Sequence, residues 1–243
     1  MAAPRSPALR GAAAAALRLG RNVEATALVL SSLVVIALWA LAELADEVLE
    51  GATRDLDRDL LLLLRVPGDL SDPVGPPVLE EIMRDLTALG GIAALTLATV
   101  TVAVFFLLTR RYGQMAFVLV TIGGGILLSG LAKDLFDRPR PDLVPHGSLV
   151  HTASFPSGHA MMAAGAYLGL GALVARLQPT RRMKAYVMGV AVTITLAVGT
   201  SRVYLGVHWP TDVAAGWLAG AAWALLCLIA ARALAARRRA ATP

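Results

Sequence analysis

Six stretches of this chain contain no Asp, Glu, Lys or Arg: 25–42, 86–109, 112–132, 157–175, 185–201 and 213–231. Each is close to the ~20 apolar residues a helix needs to cross about 30 Å of hydrocarbon. The pattern predicts an all-α, polytopic membrane protein with six transmembrane helices. Of 243 residues, 57% are hydrophobic and only 16% charged, and the mean hydropathy is +0.67, well outside the ordinary soluble range. Too little amphipathic chain remains to cover six such helices in a water-soluble bundle.

The segments between these stretches divide the chain further. Residues 1–24 form an N-terminal segment, 25–231 the membrane domain and 232–243 a basic tail. The longest connector, 46–86, holds Pro67, Pro73, Pro76 and Pro77 and so cannot be one helix. Its runs Leu60–Leu64 and Val78–Leu86 predict two short interfacial helices over the membrane face. Gly123-Gly124-Gly125, Gly165, Gly169, Gly171, Gly216 and Gly220 suit close packing between helices in lipid. Cys227 is the single cysteine, so no disulfide framework is expected.

Charge orients the spans. Fourteen of the 22 basic residues lie before the first span, between the second and third, between the fourth and fifth, and after the sixth. The connector 46–86 instead carries eleven acids against four arginines. The positive-inside rule therefore puts both termini in the cytoplasm, with the ends of spans one, three and five, and the connector, on the opposite side. The net charge of +5 reads as topology signal and contact with anionic lipids, not as nucleic-acid binding. The Ala-rich stretch 11–17, interrupted by Arg18 and Arg21, predicts a helix on the inner surface, with the first span acting as an uncleaved anchor.

Three short polar segments interrupt the apolar pattern, all at span ends on the non-cytoplasmic side. Ionisable residues in or at a bilayer are costly and mark function. In the first, Lys133 ends the third span, and Arg140 stands between Pro139 and Pro141, which restrict the backbone around its guanidinium. A fixed guanidinium fork matches two phosphate oxygens, and a lysine adds a point charge. In the second, Pro156-Ser157-Gly158-His159, serine is a favoured N-cap and the helix start offers free amides to an anion. Gly158 permits close approach of a phosphate, and His159 would stand beside it as a proton donor. In the third, Ser201-Arg202 closes the fifth span, and His208 and Asp212 straddle the start of the sixth, with Pro210 at its first position. A carboxylate four residues from a histidine selects its tautomer and frees the other ring nitrogen to attack. Asp134, Asp137 and Asp142 are expected to make loop hydrogen bonds or ion pairs with Arg138. His146 and His151 are read as loop residues.

In this order and spacing the three segments resemble the signature of the type 2 phosphatidic acid phosphatase superfamily. Its pattern is Lys, six residues, Arg-Pro; Pro-Ser-Gly-His; then Ser-Arg, five residues, His, three residues, Asp. Every position is matched here between residues 133 and 212. The resemblance implies a metal-independent phosphohydrolase without a cofactor. His208 would attack phosphorus, with Asp212 orienting it. His159 would protonate the leaving group and then activate water. Lys133, Arg140, Ser157, Gly158 and Arg202 would hold the phosphate. It also implies a lipid phosphate or diphosphate as substrate, first undecaprenyl diphosphate, with phosphatidylglycerol phosphate and phosphatidic acid close behind. A lipid phosphotransferase would use the same site. Vanadium-dependent haloperoxidases share these anion-binding residues but are soluble. The GC-rich flavour of the composition suggests a bacterial cell membrane, with the site facing the periplasm or exterior.

Sidedness is directly testable. In a Cys227→Ala background, a cysteine at Gly147 should react with a membrane-impermeant thiol reagent on intact cells, and one at Arg182 should not. The reverse pattern would put the site in the cytoplasm.

Overall fold

A computed structural model of the chain describes residues 7–142 and 153–241; His146, Gly147 and His151 lie outside them. The helices are α1 (Pro7–Glu50), α2 (Arg54–Leu62), α3 (Pro77–Ala88), α4 (Ile92–Leu108), α5 (Tyr112–Lys133), α6 (Gly158–Leu177), α7 (Arg181–Tyr204) and α8 (Pro210–Ala241). Among the described residues five helices are long and apolar enough to cross a membrane, and six crossings result if α3 and α4 count as one bent span. The chain is a multi-pass membrane protein.

The second span departs from its expected form. Instead of an unbroken helix over 86–109, α3 and α4 meet at 48°, separated by Leu89-Gly90-Gly91. Gly90 touches the fourth and fifth spans so closely that a Cβ there would collide with Val198 and lie 3.0 Å from the His159 carbonyl. Gly91 then takes an extended conformation (φ −76°, ψ 152°) from which α4 restarts. An uncharged run cannot reveal such a break, because apolarity is the same on both sides of it.

The connector also differs in detail. The expected helix at Leu60–Leu64 begins earlier, as α2, with Asp55 and Asp57 in its first turn, where carboxylates complement the helix dipole. The one expected at Val78–Leu86 is α3. Between them a small antiparallel hairpin joins β1 (Arg65–Val66) to β2 (Asp69–Pro73), so the all-α architecture carries one short β-ribbon. Its turn uses Pro67-Gly68, with Gly68 at φ +96°, a conformation that favours glycine. The N-terminal helix is not a separate surface element: backbone helix runs without a break from Pro7 into the first span.

Packing centres on α6. It contacts α5, α7 and α8, while α1 rests against α8 and leaves Leu28, Val29, Ile36 and Trp39 exposed, as a lipid-facing surface requires. Two glycines bring α8 against α6: a Cβ at Gly216 would stand 2.6 Å from the Ser157 carbonyl, and one at Gly220 would overlap the Met161 carbonyl. Such small-residue seams replace the hydrophobic effect as the means of helix association in lipid. Gly123 is different, with nothing near its would-be Cβ. It belongs to a π-helical turn in α5, Leu119–Gly123, matched by a second in α6, Ala164–Leu168. The Trp223 indole donates to the Thr121 carbonyl at 2.8 Å, satisfying a group inside the first of these turns. Leu95, Phe106, Val118, Ile122, Met162 and Ala166 form an apolar core between α4, α5 and α6.

Gly220→Ala should therefore destabilise the protein by about 1–3 kcal/mol through overpacking, whereas Gly123→Ala should leave stability unchanged or slightly raised. Thermal unfolding of the two variants in the same detergent checks the contrast.

Candidate functional site

The C-terminal ends of α5 and α7 and the N-terminal ends of α6 and α8 converge, and they bring all eight expected site residues to one end of the bundle. Lys133 is the last residue of α5. Its Nζ faces Gly158, where an added Cβ would lie 3.6 Å from it and 2.9 Å from the Ser129 hydroxyl. Ser157 occupies the N-cap position of α6 but makes no side-chain cap bond; its Oγ is buried without a protein partner. Arg202, in the last turn of α7, donates to Thr87 Oγ1 of α3 at 3.1 Å, while its Nε is also buried and unpaired. Lys133, Arg140 and Arg202 repel one another across this space. Buried donors without partners and mutually repelling cations describe a site that an anion would satisfy.

His208 lies opposite, in the turn joining α7 to α8. Gly206 makes that turn possible by taking φ +70°, after which His208 is buried to 1% exposure. Arg140 donates one guanidinium nitrogen to the Val207 carbonyl at 2.8 Å and approaches His208 Nε2 with the same nitrogen at 3.1 Å. Since a guanidinium can only donate, Nε2 carries the lone pair and Nδ1 the proton. Nδ1 faces Asp212 Oδ2 at 3.4 Å, so the expected His–Asp pair forms with a long bond. Burial pulls the His208 pKa down to about 4, against the raising influence of Asp212, and the imidazole is neutral near pH 7. His159, in the first turn of α6, is half-buried and packs on the Gly90-Gly91 break, with its Nε2 3.8 Å from the position of a Gly91 Cβ. The bend in the second span is thus the seat of His159.

Asp212 is fully buried and multiply held. Besides His208, it accepts from the Ser154 hydroxyl, from the Trp209 amide at 3.0 Å and from Arg138, while its carbonyl accepts from the Ser157 amide at 2.9 Å. Arg138 does not pair with Asp134, Asp137 or Asp142 as local spacing suggested. Its guanidinium bridges Asp212 and Asp57 of α2, the latter at 2.6 Å, and lies 5.8 Å from the Trp209 ring centroid. Sequence reasoning missed Asp57, Ser154 and Thr211 altogether. Asp57 is one of eleven acids in its connector and nothing local distinguishes it; Arg138 offered one signal, its place in the Arg-Pro-Arg-Pro run at 138–141.

Beside Lys133 a cleft of about 830 Å³ opens between Leu127, Leu131, Leu135, Phe136 and Ala153, with Lys133, Asp134 and Asp137 as its charged lining. Among the described residues no three His, Cys, Asp or Glu side chains are grouped so as to hold a metal ion.

Fold and site together define a multi-pass membrane phosphatase. The chain belongs to the PAP2 superfamily, whose model matches residues 113–235. It is similar to phosphatidylglycerophosphatase B of Bacillus subtilis, 37% identical over 147 residues that cover 59% of this chain and 71% of that protein. A shorter match, 42% identical over 67 residues and 28% of each chain, is to an undecaprenyl-diphosphatase of Sulfolobus acidocaldarius. The structure of this chain resembles the crystal structure of a transmembrane PAP2-type phosphatidylglycerolphosphate phosphatase from Bacillus subtilis. The TM-score is 0.65, the identity 30%, and the coverage 82% of this chain and 94% of that one.

Proposed function

We propose that this enzyme removes the terminal phosphate of a membrane lipid through a phosphohistidine on His208. The observation that carries the reading is the setting of His208 Nε2: its lone pair faces Arg140, while Nδ1 is backed by the buried Asp212. The nitrogen attacks phosphorus as the bond to the lipid oxygen breaks, and His159 gives its proton to that leaving oxygen. A water then loses its proton to His159 and attacks the phosphorus, releasing inorganic phosphate and restoring neutral His208. Lys133, Arg140, Arg202, the Ser157 hydroxyl and the Gly158 amide hold the phosphoryl oxygens and offset charge developing on them. Asp212 stabilises the positive charge that the imidazole gains.

The lipid character of the substrate is supported by the membrane setting and by the cleft at Lys133, where the side chains of Leu127, Leu131, Leu135 and Phe136 offer an acyl or prenyl chain an apolar stretch of wall. Of the lipids considered above, the long Bacillus relative favours phosphatidylglycerol phosphate first. Undecaprenyl diphosphate, first on sequence grounds alone, is supported by the shorter archaeal match. With both termini in the cytoplasm of a bacterial cell, the site opens to the periplasm or exterior at headgroup level.

Purified enzyme given each lipid phosphate in mixed micelles should release inorganic phosphate fastest from phosphatidylglycerol phosphate. Label that passes to a second lipid's hydroxyl would instead mark a phosphotransferase. His208→Asn should lower kcat by at least about 1000-fold with the protein still folded; near-normal turnover would sink the mechanism.

Because the proposed charge stabilisation uses only protein groups, excess EDTA should leave the rate unchanged, and inhibition reversed by magnesium would contradict it. The nucleophile must be neutral to attack. Its lowered pKa keeps it so above about pH 4, and protonation removes activity as pH falls through that value. The acid limb of kcat/KM assigned to His208 should lie there, and Asp212→Asn, which removes the raising influence, should move it lower still.

A further inference from the structure

We infer that Asp57 and Arg138 form a positioning relay that sets the orientation and charge environment of His208 through Asp212, making helix α2 of the first connector a working part of the site. The inference rests on His208 being the nucleophile. Asp57 lies at 1% exposure, with both carboxylate oxygens engaged. Oδ1 accepts from the Thr211 amide at 2.9 Å; Oδ2 accepts from the Thr211 hydroxyl at 2.6 Å and from Arg138 at 2.6 Å. The other terminal nitrogen of Arg138 donates to the Thr211 hydroxyl at 2.8 Å and to Asp212 Oδ1. One guanidinium therefore joins two buried carboxylates that lie 155 positions apart in the chain, and one of them backs the imidazole.

Two buried acids and one arginine are an expensive way to tether a connector, and apolar contacts would do that at less cost. The charges have an effect at His208 that apolar contacts would lack. Together the three groups leave one net negative charge behind an imidazole that becomes positive on phosphorylation. Without Asp57, the guanidinium would cancel Asp212. The opposing cations come from other elements: Arg140, from the loop after α5, and Arg202, from α7, act on His208 itself, while Lys133 of α5 acts on His159 of α6, which also faces His208. The relay is the counterweight to that cationic face. Asp57 also lies outside the matched family region, 113–235, so this part of the site is supplied by a segment peripheral to the motifs.

Charge predicts opposite signs for the two variants. Asp57→Asn makes the network neutral and should displace the acid limb of kcat/KM to lower pH. Arg138→Gln leaves two carboxylates and should displace it upward, each by about one unit. Both should lower kcat on the order of 10- to 100-fold, with KM changed far less. The double variant loses both ion pairs of the relay but regains one net negative charge. It should return the limb to the wild-type position and give a kcat well above the product of the two single losses. Rates are taken per folded protein, measured by size-exclusion of the detergent-solubilised enzyme.

Unmoved acid limbs, or strictly multiplicative losses in the double variant, would show a purely structural contact and overturn the relay. If Arg138→Gln does not yield monodisperse protein, Arg138→Lys carries the same test. It keeps the charge, so its limb should stay in place while that of Asp57→Asn moves down, and identical limbs would overturn the idea. His208→Asn, assayed alongside, separates the two proposals. Activity there removes the reading beneath the relay, whereas an inactive His208→Asn with a wild-type-like Asp57→Asn removes the relay alone.

Discussion

The organisation of this protein depends on one carboxylate, Asp212, held without solvent at the start of the last span. A buried unpaired carboxylate costs several kcal/mol or takes up a proton, so its surroundings have to supply donors from every direction. They come from four groups: the His208 ring, the Trp209 amide, the Ser154 hydroxyl and the Arg138 guanidinium, which Asp57 of α2 holds from its other side. The carbonyl of the same residue accepts the Ser157 amide, tying the start of α6 to the start of α8. Satisfying one group thus gathers the elements that the site needs.

The membrane domain makes that gathering possible by bringing helix ends close together. In lipid there is no hydrophobic gain from pairing two apolar helices, and proximity rests on backbone contact. Gly216 and Gly220 supply it between α8 and α6, where any side chain would strike Ser157, Ala160 or Met161. Gly90 does the same between the broken second span and α7, and so seats His159. Site geometry and helix packing are set by the same glycines: Gly216 abuts the Ser157 carbonyl, and Gly90 abuts His159.

The candidate site residues gather at one end of the bundle, in a region with its own electrostatic character. Cations crowded there repel each other, and two of the donors, Ser157 Oγ and Arg202 Nε, are left without protein partners. Such a region is a poor place for apolar packing and a good one for an anion. The neighbouring cleft adds a leucine- and phenylalanine-lined stretch beside Lys133, Asp134 and Asp137.

Much of this was legible in the linear chain. Apolar periodicity without charge marks a span because crossing hydrocarbon imposes a minimum length, and four of the six predicted stretches lie wholly inside single long helices. The eight motif residues were legible because phosphate chemistry needs particular groups at fixed local spacing, as with His208 and Asp212 one helical turn apart. The break at Gly90-Gly91, the hairpin at 65–73 and the start of α2 were not, since apolarity does not report direction and short ribbons depend on what they pack against. Nor was the true partner of Arg138. Three acids lie within four residues of it, yet it pairs with Asp57 and Asp212, both more than seventy positions away. By itself the sequence determined the membrane class and singled out the candidate site residues, because these follow from local composition and spacing. Only the tertiary structure decided which buried charges neutralise one another, because that depends on which chain segments meet in space, and spacing along the chain does not record it.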